Sequence, residues 1–223
     1  MNKLPKAIIF DLDGVITDTA EYHFLAWKQL AEELGVTIDR EFNEMLKGVS
    51  RIESLTRILA LNPTLANMSE EEKNRLAAKK NEHYKSYIAR LSPKDVLPGV
   101  KPLIKKLKKE NLKLAIGSAS KNAPEVLKRL DLEETFDYVV DAARISKGKP
   151  DPETFTNAAD YFGVSYEHCI GIEDSAAGIQ AINAAGMFSV GIGNAADLFE
   201  ANYLIDTTAE LNYEAIILAY NQS

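Results

Sequence analysis

The sequence holds a single cysteine, Cys169, so no disulfide can form within the chain. That cysteine lies in an apolar run and reads as a small buried hydrophobe. No stretch approaches the roughly 20 consecutive apolar residues needed to span a bilayer. No cationic segment followed by a long apolar one opens the chain, as a signal peptide would require. The expected setting is cytoplasmic, with no membrane partner. A surplus of positive charge is also missing. Lys and Arg number 26 against 33 Asp and Glu, a net charge of -7. This argues against nucleic acid, whose phosphate backbone needs a basic surface. A local basic pocket for one small phosphate is still compatible. Internal repeats and low-complexity stretches are absent too.

What is present is the balance of an ordinary soluble globular protein, 46% apolar and 26% charged, over a length that allows one large domain or two modest ones. Short apolar runs recur: "KAIIF" at 6–10, "LKLAIGSAS" at 112–120, "DYVVD" at 137–141, "HCIGIED" at 168–174, "FSVGIG" at 188–193 and "YLID" at 203–206. Such runs suit strands buried on both faces. Helical patterns separate them, at 99–112, 122–132, 151–163 and 175–186. The last two stop at Gly163 and Gly186, where left-handed caps are common. This alternation predicts an α/β fold, a Rossmann-like parallel sheet, with its active site beyond the carboxyl ends of the strands.

One stretch breaks the rhythm. Residues 18–92 contain no convincing strand and read as helices over 20–35, 39–46, 51–61 and 69–90. Asp18 followed by Glu21 resembles a capping box for the first of these. A block this long is not a loop. It predicts an inserted all-helical cap domain over 18–92, with 1–17 and 93–223 forming the core. "LSPKDVLPGV" punctuates the return.

The strand ends carry the chemistry. The first ends in Asp11 and Asp13, the second in Ser118, Ala119, Ser120, Lys121 and Asn122. The third is followed by Lys147 and Lys149, and the fourth ends in Glu173 and Asp174. Converging carboxylates raise one another's pKa and cost stability unless a cation joins them. Mg²⁺ suits such oxygen ligands together with a substrate phosphate. A hydroxyl and a lysine nearby suit a phosphoryl group. Asp11, at the end of a rigid strand, is placed as a nucleophile toward phosphorus. Asp13 is placed as general acid and base. A lone D-x-D also occurs in solvated turns; the three later clusters favour the catalytic reading.

"DLDGVITD", then "SAS", then "GKPDP", then "GIEDSAAGI" resemble the four motifs of the haloacid dehalogenase-like phosphotransferases. "FDLDGVITDTAEYHFLAWKQLAEELG", "LKGVSR", "SASKN" and "EDSAAGIQAI" extend the likeness to the sugar-phosphate mutases of that family, over nearly the whole length. The resemblance implies a small-molecule sugar phosphate as substrate. It implies interconversion of β-glucose 1-phosphate and glucose 6-phosphate through β-glucose 1,6-bisphosphate, with Mg²⁺ as cofactor; a monomer is the expected state, though the sequence does not settle it. Asp11 is then the phosphorylated nucleophile and Asp13 the acid/base. Asp11, the Asp13 carbonyl and Asp174 hold the metal, with Glu173 close by. Ser118 and Lys149 hold the transferring phosphoryl. Lys147 could compete, but Lys149 directly precedes the proline, as the motif requires.

A mutase differs from a phosphatase in its acceptor, a sugar hydroxyl instead of water. It therefore needs a second phosphate site. Lys47, Gly48, Val49, Ser50 and Arg51 form a basic loop opening a helix and suit that role. The same residues also fit an ordinary helix start. Ser120, Lys121 and Asn122 could close the site from the core. His23 and Trp27 share a helix face. The family likeness implies that His23 helps gate Asp13, with Lys80 on a later helix as its neighbour. Thr19 is a hinge candidate. His83 and His168 carry no predicted role. The alternatives are a sugar-phosphate phosphatase of the same fold and a binding protein without catalysis.

Overall fold

The computed structural model describes residues 4–223. The first three residues of the expected core segment 1–17 lie outside the described residues. The chain runs β1 (Ala7–Phe10), α1 (Ala20–Glu33), α2 (Arg40–Glu44), α3 (Arg51–Ala60), α4 (Glu70–Ile88), α5 (Val100–Lys109), β2 (Lys113–Ile116), α6 (Ala123–Arg129) and β3 (Tyr138–Val139). It continues through α7 (Glu153–Phe162), β4 (Cys169–Glu173), α8 (Ala176–Ala184), β5 (Phe188–Ile192), β6 (Tyr203–Ile205) and α9 (Tyr213–Tyr220). Among the described residues the strands form one parallel sheet in the order β3-β2-β1-β4-β5-β6.

The alternation within β1 explains the layers. Ile8 and Phe10 join Val100 and Leu103 of α5, Val126 of α6 and Ile216 of α9. Ala7 and Ile9 point the other way, to Phe155 and Ala158 of α7 and Ile179 and Ile182 of α8. Side chains two apart face one side of a strand, so a four-residue run that is apolar throughout must be covered on both faces. Burying each large one fully is worth about 1.5–3 kcal/mol. The helices before residue 92 build a separate cluster from Phe24, Trp27, Leu30, Leu55, Ile58 and Ala77.

The chain moves outward from β1 through β2 to β3, then returns to the other side of β1 with β4. The β1–β4 seam is thus the point where strand order reverses, which is where such sheets open a crevice. Phe10 is level with Ile116 and Ile172. The residues just beyond these three strands therefore emerge at one height.

Two local expectations differ. Asp18 and Glu21 form no capping box; α1 is capped at Thr19, whose side chain makes no cap bond. Thr19 donates its hydroxyl to Asp13 instead. A capping box does open α4, between Ser69 and Glu72. Helix α9 was not anticipated. It closes the layer beside α5 and reads from sequence as a featureless apolar run. Gly163 and Gly186 do adopt left-handed backbone, with φ of 64° and 72°. No helix among the described residues is long and apolar enough to cross a membrane.

Candidate active site

Strand β1 ends one residue before Asp11, whose backbone N–H donates to Ile172 on β4 at 2.9 Å. Asp11 is 5% exposed. Its Oδ1 accepts from Lys149 Nζ at 2.7 Å, and the same ammonium donates to Glu173 at 2.7 Å. Glu173 also accepts from the Ser175 hydroxyl at 2.8 Å. Lys149 is buried, which works against its charge, but Asp11 and Glu173 outweigh that and hold its pKa above the ordinary value. Lys147 is exposed and pairs only loosely with Asp151, at 3.8 Å. Of the two lysines in "SKGKP", Lys149 is the one that reaches the carboxylates.

Carboxylate oxygens of Asp11, Glu173 and Asp174 lie within 4.8 Å of one another. Burial, then the neighbouring Glu173, push Asp11 well above the usual carboxylate range. The same two causes push Asp174 up to about 8. The buried Lys149 ammonium, with Lys47 at 3.7 Å from Asp174, does not neutralise three carboxylates. An all-oxygen donor set with excess negative charge fits a hard divalent cation. Gly14 makes the approach possible: its φ is +80°, and a Cβ there would collide with the Asp174 carboxylate.

Asp13 turns away from this cluster. Its Oδ1 accepts the Thr19 hydroxyl, and its Oδ2 stands 3.6 Å from His23 Nε2. Burial raises its pKa, while the Thr19 bond and Lys80 oppose the rise. Lys80 is 1% exposed, 2.7 Å from His23 Nδ1 and 4.5 Å above the Trp27 ring. Burial and then Arg51 lower Lys80 well below the ordinary lysine value; burial and then Lys80 lower His23.

One cavity joins the two layers. Asp11, Asp13, Ser118, Ala119, Ser120 and Asp174 line it from the sheet side. His23, Trp27, Lys47, Gly48, Val49, Arg51 and Lys80 line it from the helical side. Ala20, Asn43, Leu46 and Ser54 also line it and were not predicted. Asn43 and Ser54 are buried polar residues of α2 and α3; α3 is amphipathic, and a serine on its apolar face is a pattern that could have marked Ser54. Ser50 and Lys121 face a neighbouring cavity that Arg51 also borders. Asn122 donates to Asn81 of α4 at 2.9 Å. Thr19, Lys149 and Glu173 sit behind the cavity wall, bonded to residues that line it. Tyr84 is a further residue missed from sequence. It lies one turn after Lys80 on α4, so its helix face was the available signal.

The helical layer is seated on the sheet. Lys47 Nζ stands 3.7 Å from Asp174 Oδ2. Gly48 packs so closely that a Cβ would come within 2.7 Å of Ser175 Oγ.

The haloacid dehalogenase-like hydrolase family matches residues 5–186. The chain belongs to this family. Among curated relatives it is 47% identical to a β-phosphoglucomutase of Bacillus subtilis, over 95% of this chain and 93% of that one. It is 32% identical to a phosphorylated carbohydrates phosphatase of Thermotoga maritima, over 82% of each. Among solved structures it superposes on β-phosphoglucomutase from Clostridium difficile with a TM-score of 0.95, at 48% identity and 98% coverage of both chains. For a haloacid dehalogenase-like protein, a metal ion at Asp11, Glu173 and Asp174 agrees with the acidic cluster described above.

Proposed function

We propose that this chain is a β-phosphoglucomutase, interconverting β-D-glucose 1-phosphate and glucose 6-phosphate through β-glucose 1,6-bisphosphate. The observation that carries the reading is likeness across the whole chain, 47% over 95% of it, helical insertion included, to an enzyme of that name. Relatives named as phosphatases stand lower, at 32%. The cavity supports the same reading, because it presents Asp11 and Asp13 from the core and Arg51 from the cap to one space. In this reading residues 18–92 act as the cap and the rest as the catalytic core.

The roles follow from placement. An Asp11 oxygen attacks a phosphorus of the bisphosphate. The bond from phosphorus to the sugar oxygen breaks, and Asp13 gives that oxygen its proton. When the phosphate on C1 is taken, glucose 6-phosphate leaves and β-glucose 1-phosphate takes its place. Its 6-hydroxyl attacks the aspartyl phosphate and gives its proton to Asp13 while the bond from phosphorus to Asp11 breaks, and the bisphosphate so formed turns round to present its other phosphate. Ser118 and Lys149 supply donors to the phosphoryl oxygens. Mg²⁺, held by Asp11, Asp174 and the Asp13 carbonyl beside Glu173, would neutralise charge on the phosphoryl group when bound. Arg51, with the Lys47–Ser50 loop and Ser120 to Asn122, grips the phosphate that does not react. The seated cap limits water at Asp11, which separates transfer from hydrolysis.

The test mixes the protein with β-glucose 1-phosphate, Mg²⁺ and a trace of the bisphosphate. Glucose 6-phosphate is the expected product. Release of inorganic phosphate instead would favour the phosphatase reading, and no change would remove catalysis. Asp11→Asn should abolish all turnover. Asp13→Asn should retain the fold and lose roughly 10²–10⁴-fold in rate.

A further inference from the structure

Tyr84, on α4, is fully buried, and among the described residues its hydroxyl is one of the few buried polar atoms without a hydrogen-bond partner. Leaving such a group unpaired costs stability, so its retention in a tight core needs a reason. Its surroundings supply one. The Tyr84 ring stacks on the His23 imidazole, with centroids 4.0 Å apart and planes 27° apart. Its hydroxyl stands beside the hydroxyls of Thr19 and Ser120. Thr19 already spends its only hydrogen on Asp13 Oδ1, so toward Tyr84 it can only accept. His23, held from behind by Lys80, faces Asp13 Oδ2 at 3.6 Å.

We propose that Tyr84 is a positioning residue for Asp13. Its ring sets the imidazole that faces one Asp13 oxygen, and its unpaired hydroxyl is placed to donate to the threonine that holds the other. One side chain on the cap thus fixes the partners of both oxygens of the acid/base. Once that donation is made, a relay from Tyr84 O–H through Thr19 O–H to Asp13 would join a cap helix, the start of α1 and the core, and successive hydrogen bonds of this kind strengthen one another. Tyr84 does not line the cavity, so it acts through its neighbours and not on the sugar. The requirement it serves is alignment of the proton donor with the departing sugar oxygen.

This proposal rests on the phosphoryl-transfer reading above, and leaving groups separate the two. A sugar oxygen must be protonated as it departs. Acetate leaves acetyl phosphate as an anion and needs no proton. Phosphorylation of Asp11 is therefore followed with β-glucose 1,6-bisphosphate and with acetyl phosphate, in wild type and in Tyr84→Phe. The expected result is a fall of roughly three- to tenfold in kcat with the sugar donor, the range for one hydrogen bond. KM should hold within about twofold, and the acetyl phosphate rate should be unchanged. Equal losses on both donors, no loss on either, or a loss confined to KM would overturn the proposal. Thr19→Val and the double variant complete the test: losses that fail to add are expected for one relay, and simple addition counts against it. A loosened fold would slow both donors, so the contrast survives a drop in melting temperature. Failure of the wild type to form glucose 6-phosphate would instead sink the mutase reading and leave the donor contrast readable.

Discussion

Lys149 Nζ and Asp11 Oδ1 meet at 2.7 Å although 138 positions separate them in the chain. Both are buried, and Glu173 shares the same ammonium. Lys149→Met would leave two buried carboxylates without their counter-charge. The expected cost is about 3–5 kcal/mol at neutral pH, shrinking in acid as Asp11, whose pKa is raised by burial and Glu173, takes up a proton. Turnover should fall by roughly 10² or more. Denaturant unfolding at two pH values measures the first and a coupled glucose 6-phosphate assay the second. A variant as stable as wild type at neutral pH would contradict the account of this pair.

As a proposed ligand of the metal ion, Asp174 would link metal binding to pH. Its folded-state pKa is raised to about 8 by burial and Glu173. Between the ordinary carboxylate value and about 8, the folded state keeps the proton while the unfolded state releases it. The stability this group contributes is present in acid and lost as pH rises through that window. A cation takes the place of the proton. The melting-temperature gain from added Mg²⁺ should therefore grow from about pH 5 to about pH 8, and be much smaller in Asp174→Asn. A gain that is flat with pH, or larger in acid, would count against these ligands.

Gly48 combines a φ of +73° with contact against Ser175. Gly48→Ala adds left-handed strain of about 1–2 kcal/mol and a methyl group at the point where cap meets core. Sugar-phosphate turnover should drop by at least roughly tenfold, through a raised KM together with a lowered kcat. Phosphorylation of Asp11 by acetyl phosphate should persist. A variant with unchanged KM would show that the seated cap is not needed for binding.

Arg51 tests whether the distal phosphate is gripped from the cap. It lines the shared cavity and is not among the residues bonded to Asp11. Arg51→Ala should lower glucose 6-phosphate formation by about 10² or more, as expected when remote binding energy orients the reacting end. Hydrolysis of the aspartyl phosphate should continue at nearly its normal rate. Parallel loss of both activities, or of neither, would remove Arg51 from that role.

Much of this was legible in one dimension. An apolar run that stops at a polar residue marks a buried strand and the rim where it ends, because backbone burial and side-chain polarity change at the same point. The sequence by itself therefore determined the six parallel strands, the helical insertion and the four clusters at the strand ends. Which atoms of those clusters meet was decided only by tertiary structure. Lys149, not Lys147, reaches Asp11 because the loop before α7 turns one lysine inward and leaves the other in solvent. Thr19 serves Asp13 and not its own helix, since a strong acceptor lies within reach only after the chain has folded back. Nothing in the sequence singled out Tyr84; its place against His23 comes from the seating of α4 on α1. Local patterns encode burial and backbone shape; the pairing of distant side chains depends on how sheet and cap are seated on each other, and no short window of sequence contains that.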